Sequence, residues 1–234
     1  MRKSSPLSTV FVFLSLLGLL GSCQTSNDPP PDDSAYYPLQ TGDYWVYQVT
    51  EETYSLTSGA TARVFQLQQK VGSSFTRNGQ VFFQLEESTR QSEQNSWQVS
   101  AIRTVYKSLS EVVSQDNNAP TVSLLFPVTT TTSWNINTYN GLSDTLTLHY
   151  QNIGRPFATG TLSFDRTVAV VGPTDSTLIN LTKYQRVYAQ NIGLVYRENT
   201  ALSYCQSTPD CIGKGKIDSG TRQKWTLIAS NRVP

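Results

Sequence analysis

The sequence predicts an all-β fold: an antiparallel meander closed as a barrel or paired as a sandwich, with little helix. Three observations carry this. Aromatic and β-branched residues cluster in short runs from Tyr36 to the C-terminus. Turn-forming residues separate those runs every 10–15 positions. Helical periodicity is confined to one stretch, Leu178–Gln190, where Leu181, Tyr184 and Tyr188 share a face at 3–4 spacing; a strand fits there equally well.

The elements follow in order. Tyr44–Val49 is rich in aromatic and β-branched residues, and its apolar side chains fall on both faces, so this strand is covered on both sides. Arg63–Val71 and Phe75–Ser88 come next. Asn78-Gly79 inside the second run supplies the two positive-φ residues of a type I′ hairpin turn. Ser96–Tyr106, Leu109–Gln115 and Thr121–Val128 read as strands, with a turn over Asp116–Pro120. Thr145–Gln151 and Thr159–Val171 form a pair joined across Gly154–Pro156. Gly193–Tyr204 and Thr221–Ser230 close the chain around a cysteine-bearing loop. A sandwich or barrel matches this spacing, and no repeat of fixed period is present.

The first 22 residues stand apart. Arg2 and Lys3 precede the apolar run Leu7–Leu20, which is shorter than the about 20 residues a membrane-spanning helix needs but suits a signal-peptide core. The run ends in Leu20-Gly21-Ser22-Cys23, which resembles the lipobox of bacterial lipoproteins. That resemblance implies cleavage before Cys23 and acylation of Cys23 with palmitate-type chains. It places the protein in the outer membrane, lipid-anchored, facing the periplasm or the cell surface. More than one chain is what makes such an anchor slow to release. Residues 24–35 (QTSNDPPPDDSA) read as a Pro/Asp-rich tether, since three consecutive prolines favour extended polyproline II. The folded domain is then 36–234.

Charge excludes one class of partner. The leader holds Arg2 and Lys3 and no acid, so of the chain's 18 basic and 17 acidic side chains, 16 and 17 lie beyond residue 22. This balance, without a basic stripe, argues against nucleic acid. Cys205 and Cys211 remain after Cys23 and read as a disulfide across a short loop; a metal site or two free thiols are the alternatives. Neither a metal nor another cofactor is expected.

The sequence carries no catalytic constellation, and the chain is read as not an enzyme. His149, the single histidine, lies in a strand pattern where Tyr or Thr would serve equally. Glu51-Glu52 and Glu86-Glu87 are adjacent in strands, so each pair points to opposite faces. Gly213–Lys216 lacks the spacing of a phosphate loop and reads as a solvated turn. Trp45, Trp97, Trp134 and Trp225, with twelve tyrosines, either fill the core or line a calyx for a small apolar or carbohydrate ligand. Trp134 is the candidate ligand residue, because Thr129–Asn140 is polar and loop-like.

Three blocks, Tyr36–Val49 (YYPLQTGDYWVYQV), Val187–Glu198 (VYAQNIGLVYRE) and Ser133–Tyr139 (SWNINTY), resemble segments of uncharacterised all-β lipoproteins of the Bacteroidota. The resemblance implies one domain of lipocalin-like or half-barrel form and no known activity. In some Bacteroidota, exported proteins are O-glycosylated at Asp-Ser/Thr followed by an apolar residue or Thr. Asp33-Ser34, Asp144-Thr145 and Asp175-Ser176 resemble that pattern, with Ser34 in the tether the most accessible. The resulting expectation is a non-catalytic ligand-binding module anchored to the envelope. The alternative is an interaction subunit of an outer-membrane complex, with an envelope protein as partner.

Overall fold

The strands pair antiparallel, mostly with a neighbour in sequence, and several of them alternate buried and more exposed side chains. The computed structural model describes residues 32–116, 119–142 and 146–233. Its strands are β1 (Tyr44–Ser55), β2 (Gly59–Arg77), β3 (Gln80–Arg90), β4 (Gln98–Lys107), β5 (Glu111–Asp116), β6 (Ala119–Leu125), β7 (Ser133–Asn135), β8 (Thr147–Thr159), β9 (Leu162–Val171), β10 (Asp175–Ser176), β11 (Asn180–Ala189), β12 (Gly193–Tyr204) and β13 (Ile217–Ser230). The sheet order is β6-β5-β4-β3-β2-β1-β13-β12-β11-β9-β8-β7, with β10 beside β11. The first and last strands pair along ten residues, Trp45 opposite Ser230 through Tyr54 opposite Gly220.

The sheet bends round until its two edges meet. The Val122 N–H on β6 donates to Ile136 O just beyond β7 (2.9 Å). The Trp134 indole donates to Val122 O (2.9 Å). Tyr150 on β8 donates its hydroxyl to Leu125 O (2.8 Å) and accepts from Leu125 N–H (3.0 Å). The result is an all-β, nearly closed up-and-down barrel, in which closure leaves few strand edges exposed.

One barrel end is crossed by the chain before β1. Asp33–Tyr36 is a 3-10 turn. The Asp33 carboxylate accepts the Val128 N–H (2.7 Å), Ala35 O accepts the Asn191 N–H (2.7 Å), and Lys107 Nζ donates to Ser34 O and Tyr37 O (3.2 and 3.0 Å). Residues 33–35, read from sequence as tether, therefore belong to the fold, and the compact unit starts at Asp33. The prolines preceding them hid this, because the anchoring contacts are to residues about 70 to 160 positions away.

Two other expectations are corrected. Gly154–Pro156 is not a turn between strands. Asn152 (φ 52°) and Gly154 (φ 69°) bend β8 within its length, and the β8–β9 turn lies at Gly160-Thr161. The tip of that hairpin folds over the outer face of β12 and β13, where Phe157 meets the Tyr196 ring (centroids 5.7 Å). The 178–190 stretch is strand, not helix, as β11. Tyr184, Arg186 and Tyr188 take one face at period two, while Val187 and Ala189 are buried on the other. Cys205 and Cys211 form a disulfide, with Cα atoms 5.7 Å apart, across the loop joining β12 to β13.

Candidate functional site

Register brings an unusual set of side chains to the inside of the barrel. Arg186 on β11 lies directly opposite Arg197 on β12. Arg197 in turn lies opposite Trp225 on β13, and Trp225 lies opposite Val49 on β1. Facing them across the interior are Glu87 on β3 and Arg103 on β4. With Trp45, Tyr47, Tyr188 and Tyr37 they line a cavity of about 110 Å³. The lining draws on most strands, and the Tyr37–Leu39 segment covers one side.

The charges inside are unequal. Glu87 is buried and engaged: it accepts from Gln69 Nε2 (2.7 Å) and pairs with Arg103 Nη2 (3.1 Å). Arg186 is buried, stacks over the Tyr184 ring at 4.1 Å, and spends one nitrogen, Nη1, on Gln185 O, Glu198 O and Asn199 Oδ1 (2.9, 3.3 and 2.9 Å). Arg197 stacks over Trp225 at 4.3 Å; among the described residues it makes no hydrogen bond, and its buried Nε has no partner. Neither Arg186 nor Arg197 has a carboxylate partner among the described residues.

Burial, and next the neighbouring Arg186 charge, lower the Arg197 guanidinium to about 10, still charged at neutral pH. Burial pushes Tyr37 up to about 12, with Glu87 adding to the shift, and holds Tyr47 and Tyr188 well above the ordinary phenol range. The aromatic walls are fixed by packing and by backbone carbonyls. Tyr47 donates to Leu194 O (3.0 Å) and Trp45 to Ile192 O (2.6 Å). The Tyr47 and Trp225 rings sit 5.5 Å apart and Tyr37 and Tyr188 6.1 Å apart. Rigid aromatic faces beside cations suit binding of a planar or oxygen-rich group.

Among the residues singled out by sequence, Trp45, Glu87, Tyr188 and Trp225 line the cavity. Trp134 does not. It sits on β7, not in a loop, is 6% exposed, contacts the Tyr150 ring (4.9 Å) and closes the barrel seam. Trp97 packs under Arg90 in the β3–β4 connection. His149 is on the face of β8 opposite buried Leu148 and Tyr150 and contacts Gln151 (3.1 Å). Glu51 faces Arg63 and Gln223, while Glu52 meets Arg222. Gly213–Lys216 is an exposed turn. Cys23 lies outside the described residues, as does Thr145. Ser34 is half-buried against the barrel end, whereas Ser176 on β10 is exposed. Among the described residues no three His, Cys, Asp or Glu side chains converge as metal ligands.

Two wider grooves lie outside this cavity. One of about 780 Å³ runs beside Arg63, Phe65, Thr89 and Gln223. The other, about 510 Å³, lies along Phe75, Phe82 and Ile102. Neither gathers buried, unpartnered charge.

No protein-family model matches this chain, and no curated protein does. Two solved structures are similar to it. One, assigned as a lipoprotein from Parabacteroides distasonis, has 9% identity and a TM-score of 0.40, covering 84% of this chain and 98% of that one. The other, assigned as an exported protein with a YmcC-like fold from Bacteroides fragilis, has 11% identity and a TM-score of 0.38, covering 83% and 98%.

Proposed function

We propose that this protein is a non-catalytic binding module held at the outer membrane by lipid on Cys23, with the barrel interior as its ligand site. The observation that carries the ligand role is the aromatic-walled cavity inside the barrel, which a tightly filled core would lack. The anchoring rests on the leader and its Leu20–Cys23 terminus. Native mass spectrometry of the protein gently extracted from its own envelope tests both parts. A small-molecule adduct on the monomer is expected, and an adduct-free monomer whose denatured extract yields no small molecule overturns the binding role. The N-terminal peptide of the same sample should carry acyl chains on Cys23; an unmodified thiol there removes the anchor.

A second reading, an interaction subunit of an outer-membrane complex, is favoured by one observation. On the outer face of β2–β4, Phe75 stacks on Phe82 (5.5 Å), Phe82 abuts Tyr106 (5.2 Å), and Ile102 is 63% exposed beside them. A stoichiometric protein partner in the same extract, lost on Ile102→Asp, would support it. Monomer alone would count against it.

A further inference from the structure

We propose that the cavity holds a small oxyanion, gripped between the Arg186 and Arg197 guanidiniums. The inference rests on the binding role above and gives that ligand its chemistry. Three guanidiniums and one carboxylate line the cavity. Glu87 is committed to Arg103 and Gln69, which leaves two cations unneutralised. Arg186 and Arg197 are directly opposed on neighbouring strands, where like charges repel. A buried charge without a counter-charge is costly, and the inexpensive remedy is an anion.

The donors point to oxygen ligands. Arg197 lies over the Trp225 ring, leaves its Nε unpartnered in the interior, and makes no hydrogen bond among the described residues. A guanidinium fork matches the paired oxygens of a carboxylate, phosphate or sulfate, where a lone halide meets only part of it. Size narrows the class further. An apolar cavity of about 150 Å³ admits benzene. At about 110 Å³ this one takes about five heavy atoms, the scale of a short-chain carboxylate or an inorganic oxyanion.

Trp45 and Trp225 line the cavity and report on it directly. The mature protein in detergent, freed of bound anions by dialysis against sodium chloride, is titrated with acetate, propionate, phosphate and sulfate at constant ionic strength while tryptophan emission is followed. A saturable change is expected with a carboxylate or with a tetrahedral oxyanion, and which series saturates identifies the source. Affinity should fall at least tenfold in Arg197→Gln and in Arg186→Gln, and hold within twofold in the exposed control Arg77→Gln. Arg197→Met keeps the test independent of folding failure. In chloride alone its melting temperature should equal or exceed that of the parent protein, and added oxyanion should no longer raise it. A melting temperature well below the parent's makes Arg197 a structural residue and overturns the inference. Saturation by none of the anions, together with a neutral adduct in native mass spectrometry, also overturns it but leaves the binding module standing. No saturation and no adduct removes both.

Discussion

Gly220 sits in β13 with φ 122°, a backbone setting that side chains rarely adopt, and a Cβ built there would lie 2.1 Å from Ala201 O and 2.8 Å from Leu202 Cα. Two separate costs meet at this residue: the left-handed backbone, and the close approach of β12. Gly42 isolates the first. Its φ is 95°, yet a Cβ there meets nothing within 4 Å. Gly42→Ala should therefore cost about 1 kcal/mol, the strain alone. Gly220→Ala should cost at least about 3 kcal/mol, because neighbouring backbone must also move. Urea unfolding of the two variants checks this, and equal losses would refute the contact argument. Sequence reading started the last strand at Thr221, one position past this glycine. Nothing local marks a glycine whose need arises from another strand.

At the scale of elements, legibility followed the range of the forces involved. The Asn78-Gly79 turn was readable because its requirement is local; the two residues have φ 51° and 76° and join β2 to β3 as the dipeptide demands. The β8 bend was misread for the opposite reason. Asn152, Gly154 and Pro156 look like turn chemistry, but the strand continues through them to wrap its tip over β12 and β13. In β11, the 3–4 spacing of Leu181, Tyr184 and Tyr188 concealed a period of two carried by Tyr184, Arg186 and Tyr188, since an arginine at a buried position does not read as core. The Cys205–Cys211 bridge is again local. Closing so short a loop stabilises by about 2 kcal/mol on chain-entropy grounds. Replacing both cysteines by serine should lower stability by up to about that amount. Limited proteolysis should then cut within residues 206–216 before any other site. Unchanged protection of that loop would show that its own turn hydrogen bonds, such as Cys205 N–H to Lys216 O (2.8 Å), suffice.

For the molecule as a whole, closure makes both the site and its pH response. Arg103, Arg186 and Arg197 come from separate strands and carry no motif, so no reading of one strand exposes the cluster. What was legible were its walls: the blocks 36–49 and 187–198 meet through Tyr37 and Tyr188, and Trp45 and Ile192. The same enclosure buries phenols. Tyr37 is pushed up to about 12, and burial raises Tyr47, Tyr150 and Tyr188 as well. In the unfolded chain these groups ionise near pH 10. Above that pH the unfolded state therefore binds fewer protons than the folded one, and stability falls as pH rises. The contribution is intact below about pH 10 and is lost between there and about pH 12 for Tyr37. Arg197 pulls the other way, since its folded value is lowered to about 10 by burial and then by Arg186. Burial lowers Arg186 as well, so two arginines oppose the larger set of buried tyrosines, and the phenols decide the sign. Alkaline titration should show the exposed tyrosines ionising first. The buried phenols should then ionise in one step with loss of the β circular dichroism signal, and Tyr37→Phe should flatten the stability slope between pH 10 and 12. Smooth ionisation of every phenol near pH 10 with the fold intact would mean that solvent reaches the barrel interior freely.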